Sequence, residues 1–302
     1  MSSTTVVTYP IGTALMKAED ILGPDRTWHT VNSTQRVFLE GFFTKAARVE
    51  SRVIPEIESI ASWEAEVINR FLRERGFAIQ LAPFSKNPAM PEFGVASVLD
   101  LLIKWLHPGR ETTLKLNSDI PYTTNSEEEY PAVRMAEGMS YHTAQGHPYA
   151  IAKLQTQSQD VVYMTRLDMA PTGFALLDYV KNMMETLAPN YDYKDVIFPM
   201  VALKQKVDIS WLLGLNTVNR ENKPVAIVQA LQETHLSMDA FGAHAKSAVA
   251  LGFRVMASVQ TRPKPNLVID GPMLVWCERP SLSKPLFVGH ITPEDWKKPA
   301  AE

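Results

Sequence analysis

Near its C-terminal end the chain carries two apolar runs, "MLVWCE" from Met273 and "PLFVGHI" from Pro285, joined only by "RPSLSK". Successive side chains of a strand point to opposite faces, so an unbroken apolar run of this length has to be buried on both. The Pro and Ser residues between the runs turn the chain, and the pair reads as a hairpin inside a covered sheet. Helical patterns lie mostly before it and strand patterns mostly around it. That order argues an α+β fold.

The first 34 residues are polar and irregular and read as an extended arm, with residues 35–302 as a single domain. From Arg36 a helical pattern places Val37, Phe42, Ala46, Val49 and Val53 on one face. Pro55 interrupts it, and Ile57, Ile60, Val67 and Phe71 resume it. "SVLDLLIKWLHPG" has helical spacing, a Ser-x-x-Asp start at Ser97 and a stop at Pro108 and Gly109. "TTLKLN", "AVRM", "YAIAKLQT" and "DVVYMTRL" read as strands. Thr172 is placed to cap a helix in "GFALLDYVKNMMETL", "VIFPMVALKQKVD" reads as one strand, and Asp208 could cap "ISWLLGL".

Composition narrows the function classes. A formal charge of −3, with no basic stripe, gives no reason to expect nucleic acid or a membrane surface as partner. A lone cysteine, Cys277, excludes an internal disulfide framework, and its apolar surroundings predict an inert buried thiol. The N-terminus lacks a basic stretch leading into a long apolar one, and no apolar run approaches a membrane span, so a cytoplasmic location is expected.

No Gly-rich phosphate loop, His-Glu-x-x-His or Cys-x-x-Cys is present, and no cofactor or metal is expected. "GMSYH" is a fragment of a nucleophile elbow without its second glycine, which leaves Ser140 and His142 weak as catalytic residues. His142 and His147, with Asp160 and Asp168 downstream, have uneven spacing for a metal site. The expectation is that the chain is not an enzyme.

One family fits the motifs. "PMLVWCERPSLSKPLFVGHI" resembles the closing hairpin of the serpins, with Pro272, Pro285, Leu286, Phe287 and Gly289 at the family's spacing. "THLSMDAFGAHAKSAVA" resembles the serpin strand, hinge glycine and small-residue run, with Asp239 and Gly242 in matching places. "AVRMAEGMSYH", "VVYMTRLDMAP" and "IKWLHPGRETTLKLNSDIPY", which carries Asn117, are similar to further family stretches. The likeness runs from residue 98 onward, about two-thirds of the chain, and the N-terminal third matches only loosely as helices. It implies N-terminal helices, a large mixed or antiparallel sheet and a C-terminal hairpin, reduced relative to a full serpin.

The resemblance further implies a reactive loop over about residues 242–265. A target protease cuts it, and the freed arm enters the main sheet as a new strand. Insertion needs every second residue to be small or apolar, and Ala243, Ala245, Ser247 and Val249 meet that test after Gly242 while His244 and Lys246 fall on the other face. Counting from the hinge places the cut bond at Met256–Ala257, and counting back from Pro272 places it near Arg262. Met256 suits an elastase- or chymotrypsin-like enzyme and Arg262 a trypsin-like one.

Ala240 and Phe241 depart from the acidic or polar pair usual before the hinge. Two readings therefore stand: an inhibitor whose partner is a target protease, and a non-inhibitory scaffold whose partner is another subunit, with oligomeric state open. "AHAKSAVAL" is also a respectable helix former, and a helix there would remove the inhibitor reading.

Overall fold

The computed structural model describes residues 2–24, 26–85, 92–117, 128–243 and 264–300. The chain opens with strand β1 (Thr4–Val6) and helix α1 (Tyr9–Leu22). A continuous helical stretch follows: α2 (Ser33–Phe38), a π-helical portion over Leu39–Ala47, and α3 (Arg48–Glu50). Next come β2 (Ile57–Ser62), α4 (Ala65–Glu74), β3 (Gly94–Leu99), β4 (Ile103–Lys104) and β5 (Arg110–Lys115). The middle of the chain supplies β6 (Glu129–Met135), β7 (Met139–Thr143), β8 (Ile151–Gln155), β9 (Val161–Arg166), α5 (Phe174–Glu185) and β10 (Ala188–Asn190). Then follow β11 (Val196–Pro199), β12 (Val201–Val207), β13 (Asn216–Val218), β14 (Pro224–Ala226) and β15 (Gln232–Met238). The last are β16 (Gly242–Ala243), β17 (Leu267–Val268), β18 (Met273–Glu278) and β19 (Phe287–Ile291).

The tail hairpin is where its sequence puts it. β18 and β19 lie inside a seven-stranded antiparallel sheet ordered β1-β19-β18-β9-β8-β7-β10. Leu274 and Trp276 face α5 and pack with Leu176, Leu177, Val180 and Met183. Met273, Val275 and Cys277 face the opposite way, into the main core. Each such side chain contributes roughly 1.5–3 kcal/mol by leaving water, which explains why neither parity tolerates a polar residue. A second sheet, β17-β11-β6-β5, packs beside it, and two separate pairs, β12–β15 and β2–β3, form a further layer.

The N-terminal residues are not an extended arm. β1 pairs with β19 at the sheet edge, and α1 buries Ile11, Leu15, Ala18 and Leu22 at helical spacing, with Pro10 in the first turn where no donor is lost. The next helix is rotated from its expected face. Phe38, Leu39, Phe42, Phe43, Ala46 and Ala47 are buried, whereas Val37, Val49 and Val53 are exposed.

Ile57 and Ile60 do not continue a helix but lie in β2, and the stretch expected as a helix from Ser97 is strand. Ser97 sits opposite Ser59 in the β2–β3 ladder. The reason is tertiary: each segment supplies the other with a partner, which outweighs local helical spacing. The segment expected as one strand after Val196 divides at Met200, β11 pairing with β6 and β12 with β15. α5 is capped by Gly173 rather than Thr172, and Asp208 accepts the Ser210 N–H at 2.8 Å as expected of a cap.

Candidate functional site

β12 and β15 form one antiparallel pair, and β2 and β3 form another. β15 and β3 run in the same sense. Beyond Met238 the end of β15 bonds to Trp105, just past β4, while its Glu233 end bonds to Ala78 and Ile79, near the residues that pack on Gly94 at the start of β3. Among the described residues no backbone ladder joins the two pairs along their length. Between them opens a cleft of about 2840 Å³ lined by both strands, with Val162, Val275, Cys277 and Phe287 of the large sheet contributing to its wall. Both strands therefore turn unpaired backbone edges toward a common apolar space.

The cleft is closed at one end by a tight turn after β15. The Asp239 carboxylate accepts the Phe241 and Gly242 N–H groups at 2.7 and 3.1 Å, and the Asp239 N–H donates to the Gly242 carbonyl at 2.9 Å. Trp105 ties the turn to the other pair: its indole N–H donates to the Asp239 carbonyl at 3.0 Å and its backbone N–H to that of Phe241 at 3.2 Å. The Gly109 N–H reaches the Ala240 carbonyl at 2.6 Å. The chain then turns back, and β16 pairs antiparallel with β4, Gly242 opposite Lys104 and Ala243 opposite Ile103.

Gly242 makes this reversal feasible. Its φ is +144°, and a Cβ there would lie 2.2 Å from the Ile103 carbonyl oxygen. Gly242→Val should cost about 1–3 kcal/mol by straining the turn or detaching β16 from β4. Denaturant unfolding of the purified variant checks this, and an unchanged midpoint would show that the turn is not held as described.

Of the hinge residues expected from sequence, Gly242 and Ala243 start the strand that faces β4. Ala245, Ser247, Val249, Met256, Ala257 and Arg262 lie outside the described residues.

The polar residues weighed for chemistry are absorbed in packing. Ser140 is exposed and His142 half-buried on β7, and no hydrogen bond joins them among the described residues. Burial, then the nearby Lys153, pushes the His142 pKa down. His147 is buried, meets the Tyr179 hydroxyl at 2.9 Å and the Thr165 hydroxyl at 2.8 Å, and is likewise pushed down by burial. Asp168 is bound by Arg166 and Tyr149, and Asp160 by Arg279. No group of His, Cys, Asp and Glu suited to a metal occurs among the described residues. Burial raises the Cys277 thiol well above its usual pKa, consistent with an inert core residue.

The sequence reading missed two features at the cleft. Arg279 clamps the carboxylates of Glu56 and Asp160, and residues 77–85 run alongside the cleft, held by side chains from both strand pairs. Neither has a periodic signature, because both depend on partners far away in sequence.

No family model matches the sequence, and no curated protein matches it. Solved structures do match over nearly the whole chain. Serpin48, described as a highly specific serpin of the insect Tenebrio molitor, aligns at a TM-score of 0.59 with 13% identity, covering 96% of this chain and 92% of that one. SRPN18 from Anopheles gambiae gives 0.61 with 10% identity, covering 99% and 93%. Human thyroxine-binding globulin, solved as a hormone complex, gives 0.59 with 13% identity, covering 95% and 91%.

Proposed function

We propose that this chain, which has the serpin fold, inhibits a serine or cysteine protease by inserting its cut loop between β15 and β3. The observation that carries the reading is the pairing of β16 with β4 at the mouth of the cleft. The two residues that begin the loop already run antiparallel to the strand beside which a new strand would lie.

Residues directly opposite in an antiparallel pair share a face. Ile103 is buried in the main core, so Ala243 takes the inward parity and Ala245, Ser247 and Val249 would follow it. Continuing the register brings Ala245 opposite Leu101 and Ser247 opposite Leu99, both of which pack on that core. On the outer face Lys246 falls opposite the exposed Asp100, an opposite-charge pair. Ala248 and Ala250 fall opposite Val98 and Ala96, which pack under α4, where only small residues fit beside a helix. In this reading the partner is the target protease, the compartment is the cytoplasm, and no residue of the chain is assigned a catalytic role.

The test is incubation with elastase-like, chymotrypsin-like and trypsin-like proteases. The expected product with at least one is a covalent complex that survives denaturation, with the cut mapped near Met256 or Arg262. Complete cleavage without such a complex, by every enzyme, removes the inhibitory claim. The rival scaffold reading draws on Ala240 and the exposed Phe241 before the hinge. It expects clean cleavage and an unchanged fold.

A further inference from the structure

The cleft has a second closure at the end away from Gly242, and it is built differently from the first. From the end of α4 the chain continues without regular structure through Phe77–Ser85. Ile79, Leu81 and Phe84 pack with Ile68 and Leu72 of α4 and with Ala96 and Val98 of β3, so the segment lies on the outer, helix-covered side. Backbone ladders do not hold it. The Glu233 carboxylate accepts the Ala78 and Ile79 N–H groups at 2.8 and 2.9 Å. The Gln229 amide accepts from the Ala82 N–H at 2.8 Å and donates to its carbonyl at 3.4 Å. The Asn69 amide does the same for Leu81, at 2.8 and 3.0 Å.

These partners belong to opposite halves of the split layer. Asn69 is on α4, which packs on β2 and β3, whereas Glu233 is in β15 and Gln229 just precedes it. Glu233 is also the best-held member. Its side chain is only 6% exposed, its second oxygen takes the His235 ring N–H at 2.8 Å, and the Phe77 ring stacks on His235 at 4.8 Å. Burial opposes its ionisation, but the bonds from His235, Ala78 and Ile79 outweigh that and hold the carboxyl below its usual pKa. Side-chain-to-backbone bonds can break as a group without unravelling either strand. Because Asn69 travels with α4, the Glu233 and Gln229 side is the one free to part.

We propose that Phe77–Ala82 is a latch that ties the two halves of the split layer together, with Glu233 as its keeper, and so limits how far the cleft opens. Its consequence for strand entry rests on the insertion reading; the tie itself does not.

The test uses the full chain with Glu233→Ala, and Gln229→Ala as a second variant should the first fail to fold. Amide exchange reads the tie, and a spin-label pair at exposed Trp63 and Leu231, replaced by cysteine, reads the spacing of the halves. In Glu233→Ala we expect about tenfold faster exchange at Ala78 and Ile79, unchanged exchange at Val275 and Trp276, and a broadened label distance. In Gln229→Ala the faster exchange should appear at Ala82. Unchanged exchange in the strap, or an unchanged label distance, overturns the latch. A synthetic peptide of residues 243–256 separates the two ideas: it should associate several-fold faster with the variant, and its failure to bind either protein while the label distance broadens removes insertion and leaves the latch standing.

Discussion

Cutting the chain within residues 251–262 should raise the temperature of thermal unfolding by about 20 °C or more. About a dozen inserted residues, each adding ladder bonds worth a net ~1 kcal/mol, amount to on the order of 10 kcal/mol. For a chain of this size each kcal/mol moves the midpoint by roughly 2–4 °C. The cleft supplies what this requires. The edges of β15 and β3 are both unpaired, the wall includes Val275, Cys277 and Phe287, and β16 is positioned to lead the rest of the segment in.

Scanning calorimetry of intact protein, and of protein cut once as judged on a denaturing gel, decides it. A midpoint unchanged by cleavage would leave the split layer as a permanent gap and favour the scaffold reading. A fall would show that the intact loop itself supports the fold.

Sequence reading succeeded where one residue pattern admitted one environment. β18 and β19 are apolar on both parities because α5 covers one face and the main core the other. The turn before the hinge was legible for a similar reason, since Asp239 and Gly242 answer separate demands: a side-chain acceptor for two N–H groups, and a backbone at positive φ.

The failures occurred where a pattern fits two structures. Val98, Leu101, Leu102 and Trp105 recur at helical spacing, yet Val98 lies in β3 and Leu102 is exposed. Only the presence of β2 alongside makes the stretch a strand, and nothing local announces that. The helix Tyr9–Leu22 is a different case. Its stripe of Ile11, Leu15, Ala18 and Leu22 was available in the sequence and was hidden by the polar residues around it. The strap held by Glu233 and the clamp around Arg279 were out of reach altogether. Their bonds join residues more than a hundred positions apart and follow no period.

Arg279 also carries the largest destabilisation expected from a single substitution. It follows β18, and its guanidinium reaches Asp160 before β9 through Nε at 2.6 Å and Nη2 at 2.9 Å. The same group reaches both Glu56 oxygens, at 3.0 and 2.6 Å, just before β2. The clamp thus fastens the β2–β3 half of the split layer to the large sheet. The Asp160 side chain is 2% exposed, so Arg279→Met strands a buried carboxylate, and the expected loss is about 3–5 kcal/mol. At 2–4 °C per kcal/mol that is roughly 6–20 °C in the unfolding midpoint.

Pairing with Arg279 holds the Glu56 carboxyl below its usual pKa. A group whose pKa is lower folded than unfolded stabilises at neutral pH, and its share is lost as pH falls through the folded value. The wild type should therefore lose part of this advantage on acidification, and the gap to Arg279→Met should narrow. The double change Arg279→Met with Asp160→Leu should recover much of the loss, because replacing a buried pair by apolar groups is far less costly than breaking it. A double variant no more stable than Arg279→Met would mean that the Glu56 link, rather than the stranded Asp160 charge, carries the effect.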